Sequence, residues 1–162
     1  MKIHRILLVL LAALALPNLA GAADGQAGTA AEREFGPLSL VQVRDKVYAL
    51  IGPTGPRTPE NHALNANFGF VITGNGVAVI DSGASPAGAE LIHRAVKQTT
   101  DQPVRWVINT GSQDHRWLGN SYFADRGATI HALEATAATQ ARFAKQHVKR
   151  LESVLAQDEA AA

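Results

Sequence analysis

The residues best suited to chemistry lie in the stretch NTGSQDHRWLGN, Asn109 to Asn120, where Gln113, Asp114, His115 and Arg116 run consecutively into Trp117 and Leu118. Carboxylate and imidazole are ligands that Zn²⁺ accepts without sulfur. The chain has no cysteine, so any metal must rest on nitrogen and oxygen. Asp114 and His115 are the candidate ligands, with Asp114 also the candidate catalytic carboxylate. Zinc takes three or four protein ligands, and this pair supplies two. A second reading of the same residues is structural: Asp114 caps a short helix beginning near His115, and Gly119-Asn120 forms a turn. Gln113, Arg116 and Trp117 offer a third use, because a guanidinium beside an aromatic ring suits an anionic or aromatic small-molecule ligand.

Other polar residues are weaker candidates. Asp81 follows the apolar run VAVI and precedes Ser82-Gly83. A carboxylate at the end of a buried strand is costly unless it accepts several hydrogen bonds, so it is either a turn former or part of a site. His62 sits in a loop from which it could reach a site, although a solvated loop histidine is the simpler reading. His93 and His147 fall on helices beside Arg94, Lys145 and Lys149 and read as surface residues. His131, between Ile130 and Ala132, reads as a packed residue at the edge of the core. There is no G-x-S-x-G elbow or phosphate loop, and TGNG at Thr73–Gly76 is explained by a hairpin turn.

The elements that must position these residues follow from periodicity. LSLVQV, the turn RDK and VYALI predict a β-hairpin over Leu38–Ile51. GPTGPRTPENHALNAN then packs three prolines and two glycines into a loop, and a loop this long inside a compact domain is more often functional than accidental. FGFVIT, GNG and VAVIDSG predict a second hairpin whose last strand is apolar on both faces, as for a strand between layers. Pro86 opens a helix with Leu91, Ile92, Ala95 and Val96 on one side. VRWVIN and ATIHAL read as strands. A long helix over about 134–157 carries Ala137, Ala141, Ala144, Val148, Leu151 and Leu155 at helical spacing. This order predicts a layered α/β (α+β) domain.

The N-terminus reads as a secretory signal peptide over residues 1–22: Lys2 and Arg5, an apolar run from Ile6 to Leu16, then Ala20-Gly21-Ala22. The run is about half the roughly 20 residues that a spanning helix requires. The expected location is periplasmic or secreted, with no membrane association after cleavage. Residues 23–34 read as a flexible leader and 35–162 as the folded domain. The whole chain carries 15 basic and 14 acidic residues. The signal segment holds two of the basic ones and no acid, so the remainder has 13 against 14, a net charge of −1. Without a Lys/Arg cluster interleaved with aromatics, nucleic-acid binding is not expected.

Taken together and in order, VYALIG, NFGFVITGNGVAVIDSG, a helix, PVRWVINT, LGNSYF and GATIHAL resemble the metallo-β-lactamase superfamily, and within it the secreted zinc metallohydrolases associated with quinoprotein systems. The resemblance covers about Leu38 to Leu133. It implies an αβ/βα sandwich of two similar halves, of which this chain is expected to hold the first only, and a zinc cofactor whose bound hydroxide attacks an ester, amide, lactam or thioester. The family loop has the form N-T-H-x-H-x-D-H-x-x-G-N. With Asn109, Thr110, Gly119 and Asn120 in register, Gly111 and Gln113 stand where the first two histidines would be, His115 at the aspartate and Arg116 at the last histidine. Sliding Asp114-His115 onto the Asp-His pair instead puts Thr110 and Ser112 at the first two histidines. Both registers lose those histidines. The resemblance gives Asp81, with Thr110, the role of ordering neighbouring ligands without touching metal. It leaves two functions open: a zinc hydrolase, or a non-catalytic periplasmic binding module on half the scaffold, either of which could act as a homodimer.

Overall fold

The computed structural model describes residues 33–156, so the signal-peptide reading, most of the leader and the alanine-rich C-terminus lie outside the described residues. Seven strands form one sheet in chain order: β1 (Arg33–Phe35), β2 (Leu38–Arg44), β3 (Val47–Ile51), β4 (Phe68–Ile72), β5 (Val77–Ile80), β6 (Val104–Ile108) and β7 (Thr129–His131). β1 to β5 are successive antiparallel neighbours, whereas β5, β6 and β7 run parallel. Parallel neighbours need a crossover, and α1 (Pro86–Thr99) and α2 (Asn120–Ala124) supply the two required; α3 (Glu134–Leu155) follows β7.

Both hairpins and the first helix form where alternation and capping chemistry place them. Ser85 caps α1 by accepting the Gly88 N–H at 3.0 Å, with Pro86 in the first turn, where its missing N–H costs nothing. Lys46 takes φ 60° to close the β2–β3 turn. Two boundaries differ from expectation. The flexible leader was to reach Glu34, yet Arg33 already pairs with Leu40 in β1, a three-residue strand too short to show a period. The expected turn at Gly119-Asn120 is instead the start of α2, whose five residues are also too few for periodicity to reveal.

The core lies on one face of the sheet. Leu38, Leu40, Leu50, Phe68, Phe70, Val77, Val79 and Val107 project toward Ala89, Ile92, Ala95 and Val96 of α1 and Phe123 of α2. At roughly 1.5–3 kcal/mol for each large side chain fully removed from water, this layer dominates stability. The intervening residues project the opposite way, and among the described residues no helix layer covers them: Val41, Ile51 and Ile108 are each more than a third exposed.

The long C-terminal helix corrects its expected packing. The Ala137, Ala141, Val148 side of α3 is exposed; the shielded line is Thr136, Gln140, Ala144, His147, Leu151 and Val154, and Gln140 is the helix's one buried residue. The rotation is set by polar contacts: Gln140 Nε2 donates to the Gly111 carbonyl at 3.0 Å, and the His147 ring lies 5.8 Å from that of Trp117. Among the described residues no helix is long and apolar enough to cross a membrane.

Candidate functional site

The C-terminal ends of β5 and β6 bring Asp81 and the 109–120 loop together, as strand ends do in layered α/β folds. Asp81 sits in the left-handed region at φ 61°, which Asp tolerates better than most residues. Its N–H donates to the Ile108 carbonyl at 3.0 Å, extending the β5–β6 ladder by one bond. The side chain is buried and well satisfied. Oδ1 accepts the Thr110 N–H at 2.8 Å, and Oδ2 accepts the Thr110 hydroxyl at 2.7 Å and Arg116 Nη1 at 3.0 Å. Arg116 Nη1 also donates to Thr110 Oγ1, and Arg116 Nε donates to Gln113 Oε1 at 2.9 Å.

A second network fixes the loop's ends. The side-chain amides of Asn109 and Asn120 exchange hydrogen bonds at 3.1 and 2.8 Å, Asn109 Nδ2 also donates to the Arg116 carbonyl at 2.9 Å, and Ser82 Oγ donates to Asn120 Oδ1 at 2.8 Å. Gly119 approaches so closely that an added Cβ would stand 2.1 Å from the Ser82 carbonyl oxygen, which excludes any larger residue unless the backbone moves. These contacts explain why Asn109, Gly119 and Asn120 stand where they do even though none is a metal ligand.

Asp114 lies in a single 3₁₀ turn, Asp114–Arg116, and its Oδ1 accepts the His115 N–H at 2.9 Å. The carboxylate therefore braces the turn's backbone, close to the capping reading; the N-cap itself is Gln113, whose side chain makes no cap bond. The dominant partner of Asp114 is a residue that sequence reasoning missed. Arg57, from the Pro/Gly-rich loop between β3 and β4, forms a two-pronged pair with it: Nη1 to Oδ2 at 2.8 Å and Nη2 to Oδ1 at 2.5 Å. Both side chains are largely shielded, at 11% and 5% exposure. Arg57 Nε donates to Asn65 Oδ1, so the loop holds its own arginine in place. Burial works to raise the Asp114 carboxyl, but contacts from His115 and Arg57 outweigh it and hold the group well below the usual carboxylate range. His115 Nδ1 lies 3.3 Å from Arg57 Nη2.

The remaining candidates fall elsewhere. His62 contributes through its backbone, at φ 51° with its carbonyl accepting from Ser85 Oγ at 2.7 Å. Trp117 Nε1 donates to the Ser112 carbonyl, and its ring faces His147. Three histidine readings need correction. His131 is exposed, because β7 is an edge strand and His131 projects from the uncovered face. His93 is half-buried against Tyr122 and Phe123, since α2 packs on α1 at that point; burial first, then Lys97 and Arg126, lower its pKa. His147 is half-buried because α3 turns it toward Trp117.

These residues do not fit zinc. Both Asp114 oxygens face a guanidinium, both Asp81 oxygens are committed to Thr110 and Arg116, and His115 Nδ1 borders Arg57. A Zn²⁺ ion would have to sit against one or both arginines. Among the described residues no group of three or more His, Cys, Asp or Glu could hold a metal ion.

No family model matches the sequence. The fold does have counterparts. The metallo-β-lactamase FIM-1 from Pseudomonas aeruginosa, solved in its mono-zinc form, superposes with a TM-score of 0.56 at 16% identity, over 65% of this chain and 46% of that one. A metallo-β-lactamase from Erythrobacter litoralis gives 0.57 at 15%, over 68% and 48%, and one from Pontibacter korlensis gives 0.53 at 20%, over 65% and 47%. The chain thus spans about half the length of the enzymes it matches. With one continuous sheet, a helical layer on one face and the polar loop at the strand ends, about two thirds of this chain has the metallo-β-lactamase fold, in part.

Proposed function

We propose that this chain is a metal-independent relative of the secreted, quinoprotein-associated metallo-hydrolases, acting outside the cytoplasm as a binding module and not as a hydrolase in its own right. The observation that carries this reading is the Arg57–Asp114 pair. Hydrolysis by metal-bound hydroxide needs carboxylate and imidazole lone pairs open to the ion; here an internal cation already neutralises the motif-loop carboxylate. In this reading the ligand meets the exposed Gln113 and the one-third-exposed Arg116, whose charge Asp81 already shares, beside Trp117, and is a small aromatic or anionic molecule. The Lys2/Arg5 flank, the apolar run and Ala20-Gly21-Ala22 support periplasmic or secreted placement.

The second reading is a zinc-dependent hydrolase of an ester, amide, lactam or thioester. It is favoured by the fold and by the Asp81–Thr110 bonds, which order the loop as a metal site would require. Elemental analysis of the purified chain, equilibrated with zinc and then dialysed against buffer, separates the two, alongside assays with a chromogenic β-lactam and a thioester. The expected result is substoichiometric zinc and hydrolysis no faster than buffer. One or more zinc ions retained per chain and lost on His115→Ala would overturn the binding-module reading.

A further inference from the structure

Strand register defines a continuous second face of the sheet. Val41 opposes Ala49, Ala49 opposes Gly69, Gly69 opposes Ile80, and Ile80 opposes Ile108, so these residues share one side; Val71, Ala78 and Trp106 lie on the same side by the same pairings. An antiparallel sheet that faces water on one side normally alternates apolar with polar. This one does not. Among the described residues of β2 to β7, the charges on or beside this face are Arg44, opposite Val47 at the end of β2, and Arg105, the unpaired and exposed residue next to Trp106 in β6. Val41, Ile51 and Ile108 are 37%, 42% and 39% exposed, although the covered residues beside them in sequence are almost completely buried.

With strands ~4.8 Å apart and rising ~3.3 Å per residue, the patch measures on the order of 500 Å². That matches the largest apolar patches monomers carry, on the order of 300–600 Å². Doubled, it reaches the order of 1,000 Å² at which specific interfaces begin.

We propose that this face is the interface of a homodimer, in which two copies stack their sheets about a two-fold axis. The chemistry of the face selects a second copy as its occupant. A two-fold places the same patch on both sides. A mainly apolar patch meets itself without burying like charges, because Arg44 and Arg105 both lie at the end of the sheet where Val47, Val71, Ala78 and Trp106 line up, at the rim, where a charge stays solvated. Facing sheets then pack at about 10 Å through interdigitating aliphatic side chains, as in sandwich cores. The inference is independent of zinc and of the binding-module reading, because it uses none of the motif-loop residues.

Sedimentation velocity of the purified full chain at micromolar concentration tests it. The expected species has twice the chain mass. Ile108→Asp or Val41→Asp should convert it to monomer with unchanged far-UV circular dichroism, whereas Arg94→Asp, on the exposed side of α1, should leave the dimer intact. If the aspartate variants fold poorly, the chain's lack of cysteine allows a milder probe. A nitroxide on Val71→Cys should show strong intermolecular dipolar coupling, and one on Arg94→Cys only weak coupling. A monomeric wild-type chain, an open-ended series of oligomers, a dimer that survives both aspartate substitutions, or equal coupling at the two label sites would each overturn the proposal.

Discussion

The polar end of the sheet and its bare face solve the same problem in opposite ways. At the strand ends every buried carboxylate is matched within the chain: Arg57 meets Asp114 and Arg116 meets Asp81. On the uncovered face, Val41, Ile51 and Ile108 have no partner layer among the described residues. A desolvated charge cannot wait for a partner, because unpaired it costs several kcal/mol, so its counter-ion must be built in. An apolar face costs only in proportion to its area, and that cost can be met after folding by association.

The contrast between the two faces of the sheet is the easiest to break. Phe70 and Val71 are neighbours on β4, one fully buried and the other on the uncovered side. Phe70→Ala should cost about 3–5 kcal/mol in denaturant unfolding at any protein concentration. Val71→Thr should cost under about 1 kcal/mol in dilute solution, rising with concentration if association covers the face. Equal costs would erase the distinction.

Next in size, Arg57→Ala should lose about 3–5 kcal/mol, because it strands a shielded carboxylate. Arg57→Ala with Asp114→Asn should recover much of that loss, which a purely steric role for Arg57 would not allow. The depressed Asp114 pKa gives this pair a pH signature. Its contribution is complete above the unfolded carboxylate value of about 3.9 and fades as pH falls from there toward the folded value, so the acid limb of stability against pH should flatten in Asp114→Asn.

His93, lowered from 6.5, acts in a higher window: the folded state resists its protonation, so stability declines as pH drops below 6.5. His93→Gln should remove that slope, as read from urea midpoints between pH 7 and 5. A modest effect, about 1 kcal/mol, is expected at Asp81→Asn. Asn keeps the left-handed backbone accessible and still accepts from Thr110, while the lost partner, Arg116, is one-third exposed and partly screened.

How much of this was legible in the sequence follows from the range of each interaction. Alternation in LSLVQV and VYALI, the GNG turn between FGFVIT and VAVIDSG, Pro86 and the stripe Leu91–Ile92–Ala95–Val96 are local signals, and they placed both hairpins and α1. Asp81 and Thr110 are joined in the sequence only by the family resemblance; in the structure they hydrogen-bond to each other. Arg57 was not, since it lies 57 positions from Asp114 in a loop without period. The signal available was indirect: a lone arginine held in a Pro/Gly-rich loop, and a carboxylate in need of a cation. The face of α3 is legible only in part, with Ala144 and Leu151 shielded but Ala137, Ala141, Val148 and Leu155 exposed, because alanines at helical spacing mark a helix without stating which side meets protein. Gln140 and His147, through polar and ring contacts, decided it.

That helix has a consequence in time rather than in structure. Its 22 residues span about 33 Å, yet a single glutamine is buried. A helix so lightly docked owes its shape mainly to its own alanine, lysine and arginine content, and such helices are marginal alone in water. Its amides should exchange with deuterium almost as fast as those of a free helical peptide, long before those of α1. The chain would then behave as two clocks, a slow sheet-and-helix body and a fast arm whose unwinding leaves Trp117 without its histidine neighbour.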